Sequence, residues 1–133
     1  MIKLVDHKNG GVYRDANVFE ETAAITTVGD APTILWRYKV TDFTHMCIMA
    51  QVAASGNHSG AFIRACRVYR TGGLATLGNA NTDSLQTIFN DVSSNLRVYF
   101  TVNGSNVFIM VEGIPGDRVN WVAKVTAVTS SDA

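Results

Sequence analysis

The sequence carries no excess charge of either sign. Lys and Arg number 11, Asp and Glu number 11, and the pI is near 6.8. A dedicated nucleic-acid binder would show a basic face and a pI above about 9, so nucleic acid is not an expected partner. Charged residues of any kind are scarce, at 17% against about 25% in an average soluble domain. Apolar residues make up 47%, and with balanced charge that content argues against a disordered chain. Long apolar runs are missing too. Met1 to Lys8 hold no stretch long enough for a secretory signal, and no later segment approaches a membrane span. No membrane partner is expected, and the chain is read as made in a cytoplasm.

Cysteine is nearly absent. Cys47 and Cys66 cannot build a disulfide framework, and each lies in an apolar run, where a free thiol behaves as a small buried hydrophobe. A bridge between neighbouring strands would need strict geometry. Metal-ligand spacing is lacking as well: His7, His45 and His58 form no paired motif, and each lies beside a turn. Phosphate-binding glycine loops and the nucleophile elbow do not occur. Glu20 and Glu21 are adjacent, and in an extended chain adjacent side chains point apart. We therefore expect no enzyme activity, no cofactor and no metal.

What is present is period-2 alternation. Runs rich in Val, Ile, Thr and aromatics are separated by Gly, Asn, Asp or Pro. Residues 33–41 place Trp36, Tyr38 and Val40 on one face and Arg37, Lys39 and Thr41 on the other. Residues 46–53 form a more continuous apolar run, as deep in a sandwich. Residues 61–70 interleave Phe62, Ile63, Cys66, Val68 and Tyr69 with three arginines. Arg64 and Arg70 share one face and Arg67 takes the other, so solvent exposure or ion pairing at an oligomer contact is expected. Leu96, Val98, Phe100 and Val102 point inward from the next run, and residues 107–111 follow. Residues 118–128 then align Val119, Trp121, Ala123, Val125 and Ala127 on one face. Shorter strands fall near 74–77 and 86–90. Trp36 and Trp121 both lie on the apolar faces of their strands and read as core.

The turns agree. Asn103-Gly104 between two alternating runs predicts a hairpin with a primed turn. Ile114-Pro115-Gly116 predicts a type II turn, with Pro setting φ and Gly supplying φ > 0. Gly72-Gly73 and Ser55-Gly56-Asn57 close further strands. The sequons at Asn57 and Asn103 read as turn chemistry. The expected fold is all-β, a β-sandwich or jelly roll of about eight antiparallel strands in one domain. Residues 15–24 are acidic at the start but lack the stripe of an amphipathic helix. We divide the chain into an N-terminal strand or arm segment (1–31), read either as an extra edge hairpin of the same domain or as an arm that grips a partner, a sandwich body (32–128) and a frayed tail (129–133).

The segment from Asn103 through Gly113, then Ile114-Pro115-Gly116-Asp117-Arg118-Val119-Asn120-Trp121 to Val125, resembles the closing hairpin of small β-modules in tailed-bacteriophage virion proteins. Gly60-Ala61-Phe62 leading to Tyr69-Arg70-Thr71-Gly72-Gly73 is similar, and the resemblance spans residues 46–125. It marks Gly113, Gly116, Asn120 and Trp121 as fold-determining and supplies no catalytic residue. The resemblance implies a non-enzymatic structural role on the virion. A 133-residue chain without a fibre shaft suits a capsid decoration or cement protein on the capsid exterior, contacting major capsid protein subunits. The alternative is a tail-fibre or receptor-binding module for a host-surface glycan. Own copies are expected partners, with a trimer, implied by the resemblance, ahead of a dimer. Ile2, Leu4, Val5, Val12 and Tyr13 are the candidate partner contacts, because an apolar strand can add to a neighbour's sheet edge.

Overall fold

The computed structural model describes residues 3–6, 12–15, 17–78, 84–90 and 95–131, with side chains for 18–78 and 95–131. Among the described residues every regular element is a strand, and every paired strand is antiparallel. The strands are β1 (Lys3–Asp6), β2 (Val12–Asp15), β3 (Asn17–Val28), β4 (Thr33–Lys39), β5 (Thr44–Gly56) and β6 (Gly60–Arg70). They continue with β7 (Thr76–Leu77), β8 (Ser84–Asn90), β9 (Arg97–Asn103), β10 (Asn106–Glu112) and β11 (Arg118–Ser131). A six-stranded sheet runs β3-β11-β5-β6, with β7 and β8 both against β6, and a three-stranded sheet runs β4-β10-β9. Their inner faces enclose the core, so the all-β sandwich expected from the sequence is what forms. The hairpin β1-β2 is a separate two-stranded sheet.

β11 organises the larger sheet. It pairs with β3 from Arg118 to Thr129 on one side and with β5 from Val119 to Ser131 on the other. Val119, Trp121, Ala123, Val125 and Ala127 all point inward, as their alternation predicts, and each is at most 2% exposed. β5 alternates just as strictly. Met46, Ile48, Ala50, Val52 and Ala54 are buried, while Cys47, Met49, Gln51 and Ala53 face outward. The continuous apolar run at 46–53 is thus a strand with a buried apolar face and an outer face that is apolar except at Gln51. Cys47 is exposed, which corrects the reading of both cysteines as buried; Cys66 alone is inside. Cys47 pairs with Arg67, whereas Cys66 pairs with Ile48, so the two thiols lie on opposite faces and cannot bridge.

Three further corrections come from local geometry. β4 pairs Trp36 with Ile109 and Ile34 with Met110, so Leu35 is an extra residue in a bulge. The bulge turns Leu35 and Trp36 both into the core, breaking the simple alternation read for 33–41. Second, the boundary at residue 32 moves: residues 17–28 are an edge strand of the sandwich, in line with the edge reading of this segment, with Phe19, Ala23 and Ile25 packed against the core. Third, Thr129, Ser130 and Ser131 continue the ladder with β5, pairing with Met46, His45 and Thr44, so this stretch is strand and not tail.

The hairpin turn between β9 and β10 has positive φ at Gly104 and not at Asn103, so Gly104-Ser105 is a II′-type turn one residue on from the Asn-Gly reading. Its carbonyls are both used: Ser105 accepts from Val40 N–H at 2.8 Å and Gly104 from Ala75 N–H at 2.9 Å. Ile114 to Asp117 is the expected type II turn, with φ 78° at Gly116 and Asp117 N–H donating to Ile114 carbonyl at 3.1 Å.

Because β3 is a ladder strand, truncation separates arm from core. A chain starting at Asn17 is expected to give a cooperative β-type unfolding transition by circular dichroism. One starting at Pro32 uncovers the β11 edge and the core beneath it, and is expected to lose that transition.

Candidate functional site

No single cleft among the described residues gathers catalytic groups. Among the described residues, no three His, Cys, Asp or Glu side chains lie close enough to hold a metal. The features that stand out are two loop-bearing ends and two outer sheet faces.

At one end the β10–β11 corner packs under β3. The Trp121 indole N–H donates to Thr27 Oγ1 at 2.9 Å, and both side chains are buried. Phe62 tilts against the indole at 6.2 Å between centroids. Gly113 lies beside the same hydroxyl. A Cβ there would stand 2.6 Å from the Gly29 carbonyl oxygen and 2.9 Å from Thr27 Oγ1, closer than any side chain tolerates. Gly29 N–H donates to Asp117 carbonyl at 3.1 Å, and the Asp117 carboxylate holds His58 Nδ1 at 2.9 Å. Asn120 is exposed, and its Oδ1 accepts from Thr26 across the ladder at 2.8 Å. The four residues Gly113, Gly116, Asn120 and Trp121 are thus gathered around one corner. Of the candidate contacts, Ile2 lies outside the described residues. Leu4 and Val5 sit on β1 opposite Arg14 and Tyr13, and Val12 sits on β2 opposite Asp6.

The other end is a set of tied loops. Asp42 Oδ1 accepts from its neighbour Phe43 N–H at 3.0 Å and from Gly72 N–H at 2.5 Å. Phe43 holds φ 57°, uncommon for a bulky residue, and its ring is 47% exposed. Leu74, on the tied loop, is 72% exposed. Arg70 braces the pair, donating to the carbonyls of Gly73 at 2.6 Å and Val40 at 3.1 Å. Arg64, expected at the surface or at an oligomer contact, is instead buried. β6 alternation drives it inward with Phe62, Cys66 and Val68. Its Nε donates to Val98 carbonyl across the sandwich at 2.7 Å, and its guanidinium lies 5.2 Å from the Phe62 ring centre. Burial lowers its pKa.

The outer face of the three-stranded sheet carries Ile34, Phe108 and Met110, with Tyr99 beside them and Arg37, Lys39 and Arg97 around them. Tyr99 O–H donates to Glu112 Oε2 at 2.7 Å, and this bond, then burial, raises its pKa. The outer face of the six-stranded sheet is broader. Ala24, Val122, Ala53 and Ala61 form one transverse row, and Val128 and Cys47 lie on another. A shallow groove of about 450 Å³ crosses it, lined by Thr22, Gln51, Ala53, Ala61, Ile63, Val122 and Lys124 among others.

No protein-family model matches the chain, and no curated protein matches it. Among solved structures it is similar to the tailspike protein of Acinetobacter baumannii phage AM24, with TM-score 0.52 and 6% identity. The match covers 88% of this chain and 27% of the tailspike, so this chain spans about a quarter of that protein. The likeness is one of fold.

Two measurements follow. Gly113→Ala is expected to destabilise by about 3 kcal/mol, the upper end of overpacking costs, in denaturant titration. The thiols should also separate: a thiol reagent labels Cys47 rapidly in the native protein and Cys66 only after unfolding. Burial, then the Cys47 charge, pushes the Cys66 thiol up to about 12. Since the folded value lies above the unfolded one of about 9, this contribution is whole below pH 9 and declines as pH rises towards 12.

Proposed function

We propose that this chain is a structural, non-enzymatic module of a tailed-bacteriophage virion. The observation that carries this reading is the sandwich it shares with a phage tailspike over 88% of its length. The same neighbour favours a tail location. In that setting the loop end serves as a contact tip: Phe43 and Leu74 are presented on two loops that Asp42 holds together, ready to press on a host-surface glycan or protein.

A second reading, capsid decoration, has its own support. The outer face of the three-stranded sheet has an apolar centre, Ile34, Phe108 and Met110, with basic Arg37 and Lys39 on one side and the Arg97–Glu112 ion pair, at 3.4 Å, at the far end. Such a face suits permanent cover by an acidic, moderately apolar shell surface between capsomers, stabilising the shell. In either setting the β1-β2 hairpin supplies an arm for a neighbouring subunit, with Leu4, Val5, Val12 and Tyr13 on it. Electron microscopy of purified virions separates the readings. A tail module is expected in few copies, on the tail. Hundreds of copies where capsomers meet would replace the tail reading with decoration, and a particle carrying no copies would overturn both.

A further inference from the structure

We propose that the outer face of the six-stranded sheet is the seat of a second copy of this chain, giving a two-fold, face-to-face dimer. This inference does not rest on whether the chain sits on a tail or on a shell. In an antiparallel sandwich the face turned to water is normally polar. Here Val122, Val128 and Met49 stand out from it at 57%, 54% and 41% exposure, and exposed alanines at 24, 53 and 61 form a low row beside the polar row of Thr22, Lys124 and Gln51. Small side chains let a second sheet approach to the spacing of about 10 Å at which sheets stack.

Size and charge both fit a copy of the same face. Five strands about 4.8 Å apart, over the seven residues from Val122 to Val128, make a face of about 24 Å by about 24 Å. Two such faces together cover about 1,150 Å², above the roughly 1,000 Å² that a specific interface needs. Among the described residues the face carries Glu20 and Lys124, 3.6 Å apart, and Arg67 opposite Cys47 in the Val128 row. The Glu20–Lys124 pair is neutral, and a two-fold arrangement that sets the two Arg67 margins apart brings no like charges together. A single dominant face meeting itself is isologous and closes at two copies; the trimer implied by the resemblance would need two different patches that fit each other.

Sedimentation equilibrium of the whole chain tests this, alongside Val122→Glu and Val128→Lys. Both positions are more than half exposed on the outer face, so unchanged circular dichroism is expected for each. The unaltered chain should sediment as a dimer at tens of micromolar. Each variant should raise the concentration of half-dissociation by at least tenfold. A thiol-to-thiol cross-linker should join two copies through Cys47, which lies on this face, and should fail with either variant. A chain that stays monomeric at 100 micromolar, a trimer, or a dimer that both folded variants leave intact would overturn the proposal. If one variant loses the β spectrum, the other and the cross-link decide.

Discussion

The hydrogen bond from the Trp121 indole to Thr27 is the contact on which the closed end of the sandwich depends. It joins the central strand β11 to the edge strand β3 inside the core, where neither group can turn to water instead. Satisfying the indole N–H requires Thr27 at the register that sets Val119 opposite it, and the remaining β3–β11 pairs follow from that register. The same hydroxyl limits what can stand at position 113, so the chain leaving β10 passes without a side chain and turns at Pro115-Gly116. A buried donor without a partner costs about 1–3 kcal/mol, so a shift in this register would be expensive. Trp36 shows the contrast: its indole nitrogen is buried with no hydrogen-bond partner, and it lies beside the β4 bulge.

Much of this was legible in the sequence, for definite reasons. β11 alternates without a break from Val119 to Ala127, and its large inward residues leave one possible face. The Ile114-Pro115-Gly116 turn is written in residues whose backbone preferences are narrow. β3 was harder to read because the positions in register with the inward side of β11, Phe19, Glu21, Ala23, Ile25 and Thr27, include an exposed charge and a small residue. Edge strands tolerate this, since their outer margin meets water. The Leu35 bulge could not be read locally, because it exists only relative to the pairing of β4 with β10.

Arg64 shows how strand periodicity can override the usual place of a residue type. With Phe62, Cys66 and Val68 committed to the interior, position 64 must follow them. The cation is accommodated by a carbonyl of the opposite sheet, Val98, and by the face of Phe62. Its parity with Arg70 was readable from spacing, but its burial required knowing that β9 lies across from β6. Arg70, at the end of the same face, reaches the loop carbonyls of Val40 and Gly73 instead.

The same alternation accounts for where the molecule leaves surface to spare. An inner face must be apolar, so every outward position on β5, β6 and β11 is free to be polar without cost to the core. On the six-stranded sheet many of those positions are Val, Met or Ala instead. Folding of the isolated chain gives no reason for that composition, since exposed apolar groups gain nothing until covered. The corner built on Trp121, Thr27 and Gly113 closes one end, and the loops tied by Asp42 close the other. The fold is thus complete without its outer faces, and their apolar character has a physical consequence only when another surface meets them.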